Sequence, residues 1–337
     1  MSAMTSTADA AAYDSQIKSI LQSVGFVDAA KIACTLQGTV WRCVHQKERH
    51  RSVVIKATSK ALHANKLVVL NGVQCQTKQN YHDVVYEQQI LKYLCADKAC
   101  PSNIIQYYGF FESKSHYFLA MEDGGGSLFA FVQSAHECIR ANRIEIAEWH
   151  KLVKRMFKQM VDSVEYIHCK KTAHFDVSIE NFAINAVTAQ YSVDGQKLQF
   201  VFDQPLQCKL IDFGLATRFE TGDFSTLKRC GKKLYKSPEL SAANDNTCID
   251  AAKNDVWCLG VCLFIMVIGS HPWNEAVQSD QMFQIIMSGH LGKLLEHWQR
   301  AHYVDADLLE LFAGVFQYED KRMSVEAIKS SRWLQMK

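Results

Sequence analysis

Thirteen consecutive residues in the last third of the chain, Val256–Ile268 (VWCLGVCLFIMVI), carry no charge. A segment that is apolar on every side has no face to offer water, so it must be enclosed by protein or by lipid. It falls short of the ~20 residues that a helix needs to cross a bilayer, which leaves a helix buried inside a large folded body. The 337 residues are enough for such a body, at roughly 150 per domain. With 48% hydrophobic and 21% charged residues and only 4 Pro, the composition excludes the disordered and collagen-like classes. Lys and Arg number 37 against 35 Asp and Glu, which removes the chain-wide basic excess of a phosphate-neutralising nucleic-acid binder. No nucleic-acid or membrane partner is therefore expected, and the oligomeric state stays open. The 12 cysteines include no C-x-x-C pair of the kind that anchors zinc and read as reduced thiols. The start, MSAMTSTADAAAYDS, lacks the charged and apolar regions of a signal peptide, and Ser2 stands where myristoylation requires glycine. A cytoplasmic location, with nuclear access, follows as an expectation.

Small and polar residues 1–12 read as disordered. Ile17, Ile20, Leu21 and Val24 then recur at helical spacing, with Asp14 and Ser15 as caps, and predict a short leading helix. From Ala30 to Lys56 the pattern changes to short β-branched runs, TVWRCV and SVVIKA, around the polar turn HQKERHR, which predicts antiparallel strands. Ala147–His168 places Trp149, Leu152, Val153, Met156, Phe157, Met160, Val161, Val164 and Ile167 on one face of a long amphipathic helix. Beyond Phe213 helical patterns dominate. The change from a strand-rich to a helix-rich part falls near Gly124-Gly125-Gly126, a run suited to a flexible connection.

The chemistry begins with Lys56, at the end of the apolar run VVIKA, where a strand would hold an ammonium on a buried face in need of an anion. Glu87 lies within the helical stripe of Val84, Ile90, Leu91 and Leu94, and it is the only glutamate between Glu48 and Glu112. A carboxylate on the buried side of a helix calls for a cation, and Lys56 is its natural partner; a snorkelling Lys56 and a Glu87 at the helix edge form the alternative. Asp212 ends an apolar run in IDFG, and HFDVSIEN sets Asp176 and Asn181 five residues apart. Oxygens of this kind, brought together, suit hard Mg²⁺ ions at Asp212 and Asn181, with Asp176 left to accept a proton from an attacking hydroxyl. That is the equipment of phosphoryl transfer.

The ordered set VVIK, Glu87, HFDVSIEN, IDFG and KSPE resembles the eukaryotic protein kinase family, over about Val27–Trp333. NDVWCLGV, SHPW and KRMS fit the same order, and the resemblance pairs Glu239 with Arg322. It implies an α+β, bilobal fold, with an antiparallel β-rich N-lobe at 27–123, a mainly helical C-lobe at 124–335, and ATP in the cleft between them. Residues 1–26 form an extension with a short helix. Carried onto this sequence, the resemblance makes Lys56 a ligand of the ATP phosphates held by Glu87, Asp176 the catalytic base, and Asn181 and Asp212 the Mg²⁺ ligands. FLAMEDGGGSLF resembles the connector, with Met121 behind the adenine and backbone groups of Glu122–Gly124 facing the base edge.

Several residues depart from the pattern. In ACTLQG, Ala33 and Thr35 stand in place of the first two phosphate-loop glycines and only Gly38 remains, which limits close backbone approach to phosphate. Phe175 replaces the arginine that would clamp a phosphorylated activation segment, so Thr221, Ser225 and Thr226 are weaker candidates for activating phosphorylation. Ser178 replaces the lysine that steadies the transferred group. Lys232, in CGKKLYKSPE, stands where Ser/Thr kinases commonly carry Thr, and is expected either to supply the missing charge or to point into solvent. Two segments exceed the usual lengths, near 57–80 and 182–207, and Asp194-Gly195 predicts a hairpin in the second. The functional expectation is a serine/threonine kinase using ATP and Mg²⁺ on protein substrates, the acceptor class resting on Glu180 and Tyr235. The rival is a weakly active pseudokinase that serves as scaffold or allosteric partner. A small-molecule phosphotransferase is disfavoured because the stretch through SPE is intact.

Overall fold

Through Thr39–Val44 buried and less buried residues alternate with period two, as a strand with one face on a core requires. The computed structural model describes residues 7–70, 73–76, 83–185, 188–191, 198–201, 204–244 and 246–335. Five strands form one antiparallel sheet: β1 (Phe26–Thr35), β2 (Gly38–His45), β3 (Glu48–Ser59), β4 (Tyr107–Glu112) and β5 (His116–Glu122), in the order β1-β2-β3-β5-β4. The polar turn is shorter than the sequence suggests, because only Gln46 and Lys47 leave the ladder and Glu48–Arg51 continue as strand. Trp41, Cys43, Val53, Ile55, Ala57, Phe118 and Ala120 share one core with Ile17 and Leu21 of the first helix.

That helix spans Thr7–Ser23 and starts well before the expected caps, so Asp14 and Ser15 lie inside it. The Ala-rich run ahead of them is helical from Thr7 onward, since Ala is the strongest helix former; residues 1–6 lie outside the described residues. Asp14 pairs with Lys31 instead, and Tyr13 meets His116 at 3.1 Å.

The chain divides into two compact units. One comprises residues 1–98, 105–123 and 213–215 and contains the five-stranded sheet and the helix Val84–Cys95. The other comprises residues 99–104, 124–212 and 216–337, with the chain passing from one to the other after Asp123, beside the glycine run. The second unit is built on the helices Ile146–Cys169 and Ala251–Ile268. All nine residues assigned to the apolar face of the first are buried. Ala251–Ile268 is, among the described residues, the one helix long and apolar enough to span a bilayer, and 89% of it is buried within the fold. Its Gly269 cap adopts φ 81°, the left-handed conformation that ends a helix.

A small sheet of Gly126–Ser127, Phe182–Ile184 and Cys208–Leu210 pairs Phe182 with Leu210. The two longer segments hold structure of their own. The first contains a short helix, Lys60–Ala64, and a hairpin of Leu67–Leu70 with Val73–Gln76. In the second, Thr188–Tyr191 pairs with Leu198–Val201 as Asp194-Gly195 predicts, the turn itself lying outside the described residues.

Candidate active site

In the first unit, strand alternation sends Ile55 and Ala57 into the core under the leading helix and Lys56 to the opposite face. There its Nζ lies 2.8 Å from Glu87 Oε2, and the side chains are 10% and 1% exposed. Asp83 starts the helix that carries Glu87 by accepting hydrogen bonds from the Val85 and Tyr86 backbone N–H groups at 3.0 Å. The pair is therefore fixed from both sides, by a strand and by a capped helix. Met121 is buried on β5 opposite Val54.

Glu122 donates its N–H to the Gln106 carbonyl. Its neighbour Asp123, which the motifs did not single out, accepts from Arg42 Nε at 2.7 Å, Arg42 Nη2 at 3.2 Å and Ser52 Oγ at 2.7 Å, tying the end of the sheet to β2 and β3. Gly124, the last predicted connector residue, is buried at the start of the second unit.

The remaining loop glycine has a packing reason as well. Gly38 opens β2, and a Cβ there would lie 1.9 Å from the Ala57 carbonyl oxygen. Ala33, Cys34 and Thr35 pair with Val40, Thr39 and Gly38, so the β1–β2 ladder closes right up to the turn.

In the second unit, Asp255 organises the segment around Asp176. Fully buried, it accepts from the His174 N–H at 2.7 Å and the Phe175 N–H at 2.9 Å, and contacts His168 Nε2 at 3.0 Å. Phe175 is held at φ 64°, a conformation that a bulky residue keeps only when its surroundings impose it. His174 Nε2 meets the Ile211 carbonyl at 3.1 Å and its Nδ1 accepts from the Asp176 N–H at 3.3 Å. Burial lowers the His174 pKa, which keeps the ring neutral for that accepting role.

Asn181 Nδ2 donates to Asp176 Oδ2 at 2.6 Å and to the Asp176 carbonyl at 2.8 Å. Asp176 Oδ1 is buried without a hydrogen-bond partner. Burial holds this carboxyl above the usual carboxylate range, opposed first by the Lys232 ammonium. Phe182 pairs with Leu210, and the Ile211 N–H donates to the Asn181 carbonyl at 2.9 Å, so Asp212 follows directly on the partner of Asn181. Asp212 itself has φ 59°. Lys232 Nζ donates to Ser178 Oγ at 2.6 Å and lies 3.6 Å from both Asp176 Oδ2 and Glu180 Oε2.

Buried contacts frame this site. Arg322 is 2% exposed, contacts both Glu239 oxygens at 2.9 and 2.7 Å, and lies over the Trp257 ring, so the pair expected from the sequence is buried and structural. Lys228 sits 5.0 Å over the Phe175 ring and donates to Thr217 Oγ1 at 2.9 Å, while Ser225 and Thr226 pair with Asp250 and Ile249.

One unit thus holds a Lys–Glu pair on a strand and a helix, and the other groups an acid, an amide and an acid around Asp176. The protein kinase domain family model matches residues 37–334, and the chain belongs to that family. It is 27% identical over 235 residues to an SNF-related serine/threonine-protein kinase of Rattus norvegicus, covering 69% of this chain and 26% of the relative. To a probable serine/threonine-protein kinase of Dictyostelium discoideum it is 24% identical over 308 residues, covering 83% of this chain and 46% of the relative. The chain thus spans between a quarter and a half of the length of these relatives.

Proposed function

We propose that this chain is an ATP-dependent protein kinase that transfers the γ-phosphate of ATP to Ser or Thr hydroxyls of protein substrates, in the cytoplasm with access to the nucleus. The observation that carries the reading is Asp176, a buried carboxyl fixed through one oxygen by Asn181 and left without a partner at the other. Such an oxygen is suited to accept the proton of an incoming hydroxyl. Lys56, steadied by Glu87, would hold ATP phosphates, with Gly38 on the covering turn. The backbone of Glu122–Gly124 would meet the adenine edge, with Met121 behind it.

The donors fit Mg²⁺. Both Asn181 Nδ2 contacts go to Asp176, which turns the amide oxygen away from it, and Asp212 adds a carboxylate. Mg²⁺ needs few protein ligands, since it keeps several waters and takes substrate phosphates for the rest of its shell. Asn181 and Asp212 would hold it, and bound Mg²⁺ would neutralise phosphate charge. In the transfer, the acceptor oxygen bonds to the γ-phosphorus, the bond from that phosphorus to the ADP oxygen breaks, and the hydroxyl proton passes to Asp176.

One observation favours a second reading, a weakly active scaffold. The β1–β2 ladder is paired up to its turn, where a phosphate-cradling loop would open its backbone N–H groups. Purified chain incubated with labelled ATP, Mg²⁺ and generic Ser/Thr and Tyr substrates, beside Asp176→Asn, decides between them. Transfer to Ser/Thr substrates that falls about 10²–10⁴-fold in the variant is expected. Equal signal from both proteins, or none from either, selects the scaffold.

A further inference from the structure

Lys232 reaches Asp176 by a backbone approach that leaves little freedom. Gly231 has φ 102°, and a Cβ on it would lie 2.7 Å from the Phe175 carbonyl oxygen, so only glycine lets this segment lie against the residue before Asp176. The Tyr235 and Lys236 N–H groups both donate to the Lys232 carbonyl, at 3.0 and 3.1 Å, which fixes the turn from which the side chain leaves. Its ammonium then meets Ser178 Oγ at 2.6 Å and stands 3.6 Å from Asp176 Oδ2 and 3.6 Å from Glu180 Oε2. Ser178 is fully buried, and although it precedes the short 3₁₀ turn Ile179–Asn181 its hydroxyl does not cap that turn. The hydroxyl serves the ammonium instead.

We propose that Lys232 supplies, from the segment after Gly231, the positive charge that steadies the phosphoryl group during transfer, with Ser178 as its docking point. The proposal rests on the protein kinase reading and deepens it. An acceptor hydroxyl that gives its proton to Asp176 brings the γ-phosphorus next to that carboxylate. An ammonium 3.6 Å from Asp176 Oδ2 is then among the nearest cations to the oxygens of the moving group. As the acceptor oxygen bonds to phosphorus and the bond to the ADP oxygen breaks, negative charge shifts towards ADP while the hydroxyl proton goes to Asp176. A fixed cation at the phosphoryl oxygens lowers the barrier to that shift without entering the proton balance. The ammonium has three hydrogens, and Ser178 takes one. The side chain is 38% exposed, so it remains reachable by an arriving substrate.

The test uses the full chain in four forms: wild type, Asp176→Asn, Lys232→Thr, and Lys232→Thr combined with Ser178→Lys, which moves the ammonium to the other side of the observed contact. Lys232→Thr is expected to lower kcat about 10²–10³-fold with little change in KM for ATP, and the double variant to regain at least about tenfold of the loss. Lys232→Gln, close to lysine in shape and uncharged, is expected to match Lys232→Thr in kcat, and both Lys232 variants to melt within a few degrees of the wild type. A purely structural tether would show a lowered melting temperature and no recovery in the double variant, and that result overturns the proposal. It is overturned equally if Lys232→Thr and Lys232→Gln keep wild-type kcat while Asp176→Asn is inactive. Absence of transfer by the wild type overturns the kinase reading itself, and the role of Lys232 falls with it.

Discussion

At the scale of single residues, the site holds a carboxyl whose surroundings oppose its charge. Asp176 is buried, one of its oxygens lacks a partner, and burial raises its pKa. A carboxyl raised in the folded state costs stability once it ionises, and the cost disappears as pH falls through its folded and then its unfolded pKa. Asp176→Asn should therefore raise the melting temperature of the nucleotide-free protein by a few degrees at pH 7.5, and the gain should shrink towards pH 4. Melting curves of both proteins across that range check the sign; a lowered melting temperature at pH 7.5 would show that Lys232 and Asn181 outweigh burial. The residue types at the site were legible because charged groups embedded in apolar runs, Lys56 in VVIKA and Glu87 in its stripe, call for each other. Asp123 was not legible, since an acid before a glycine run reads as a loop residue until Arg42 and Ser52 from two other strands close on it.

At the scale of elements, periodicity was the dependable signal where one face meets a core and the other meets water. The helix Ile146–Cys169 and the hairpin strands followed from it. It misled at the leading helix, where small residues read as disorder although Ala favours helix, and where Asp14 and Ser15 passed for caps. The structure makes this helix part of the sheet's core, with Ile17 and Leu21 both at 0% exposure. Leu21→Ala is accordingly expected to cost about 2–5 kcal/mol, read from urea denaturation. A loss below ~1 kcal/mol would mark the helix as a loosely attached extension.

At the scale of the whole molecule, the thiols report how the chain is packed. Cys34, Cys169 and Cys248 are exposed, whereas Cys43, Cys208, Cys230, Cys258 and Cys262 are buried. Burial pushes the Cys43 thiol up to about 12 and Cys230 up to about 11. Since the thiolate is the reacting form, an alkylating agent at about pH 8 should label the exposed three, while Cys43 and Cys230 stay unlabelled until denaturant is added. Site-resolved mass spectrometry checks this, and early labelling of Cys43 would mean that the core beneath the leading helix opens readily. The sequence by itself determined the class of fold, the order of the motifs and the enclosed segment Val256–Ile268, because those depend on local periodicity and on charges that cannot be buried alone. Only the tertiary structure decided that Asp255 anchors the Asp176 segment, that Gly38 is required by the Ala57 carbonyl, and that Lys232 meets Ser178 rather than solvent. Each is a contact between residues far apart in the chain, made by strained or close-packed backbone, and no local pattern of residue types encodes such an approach.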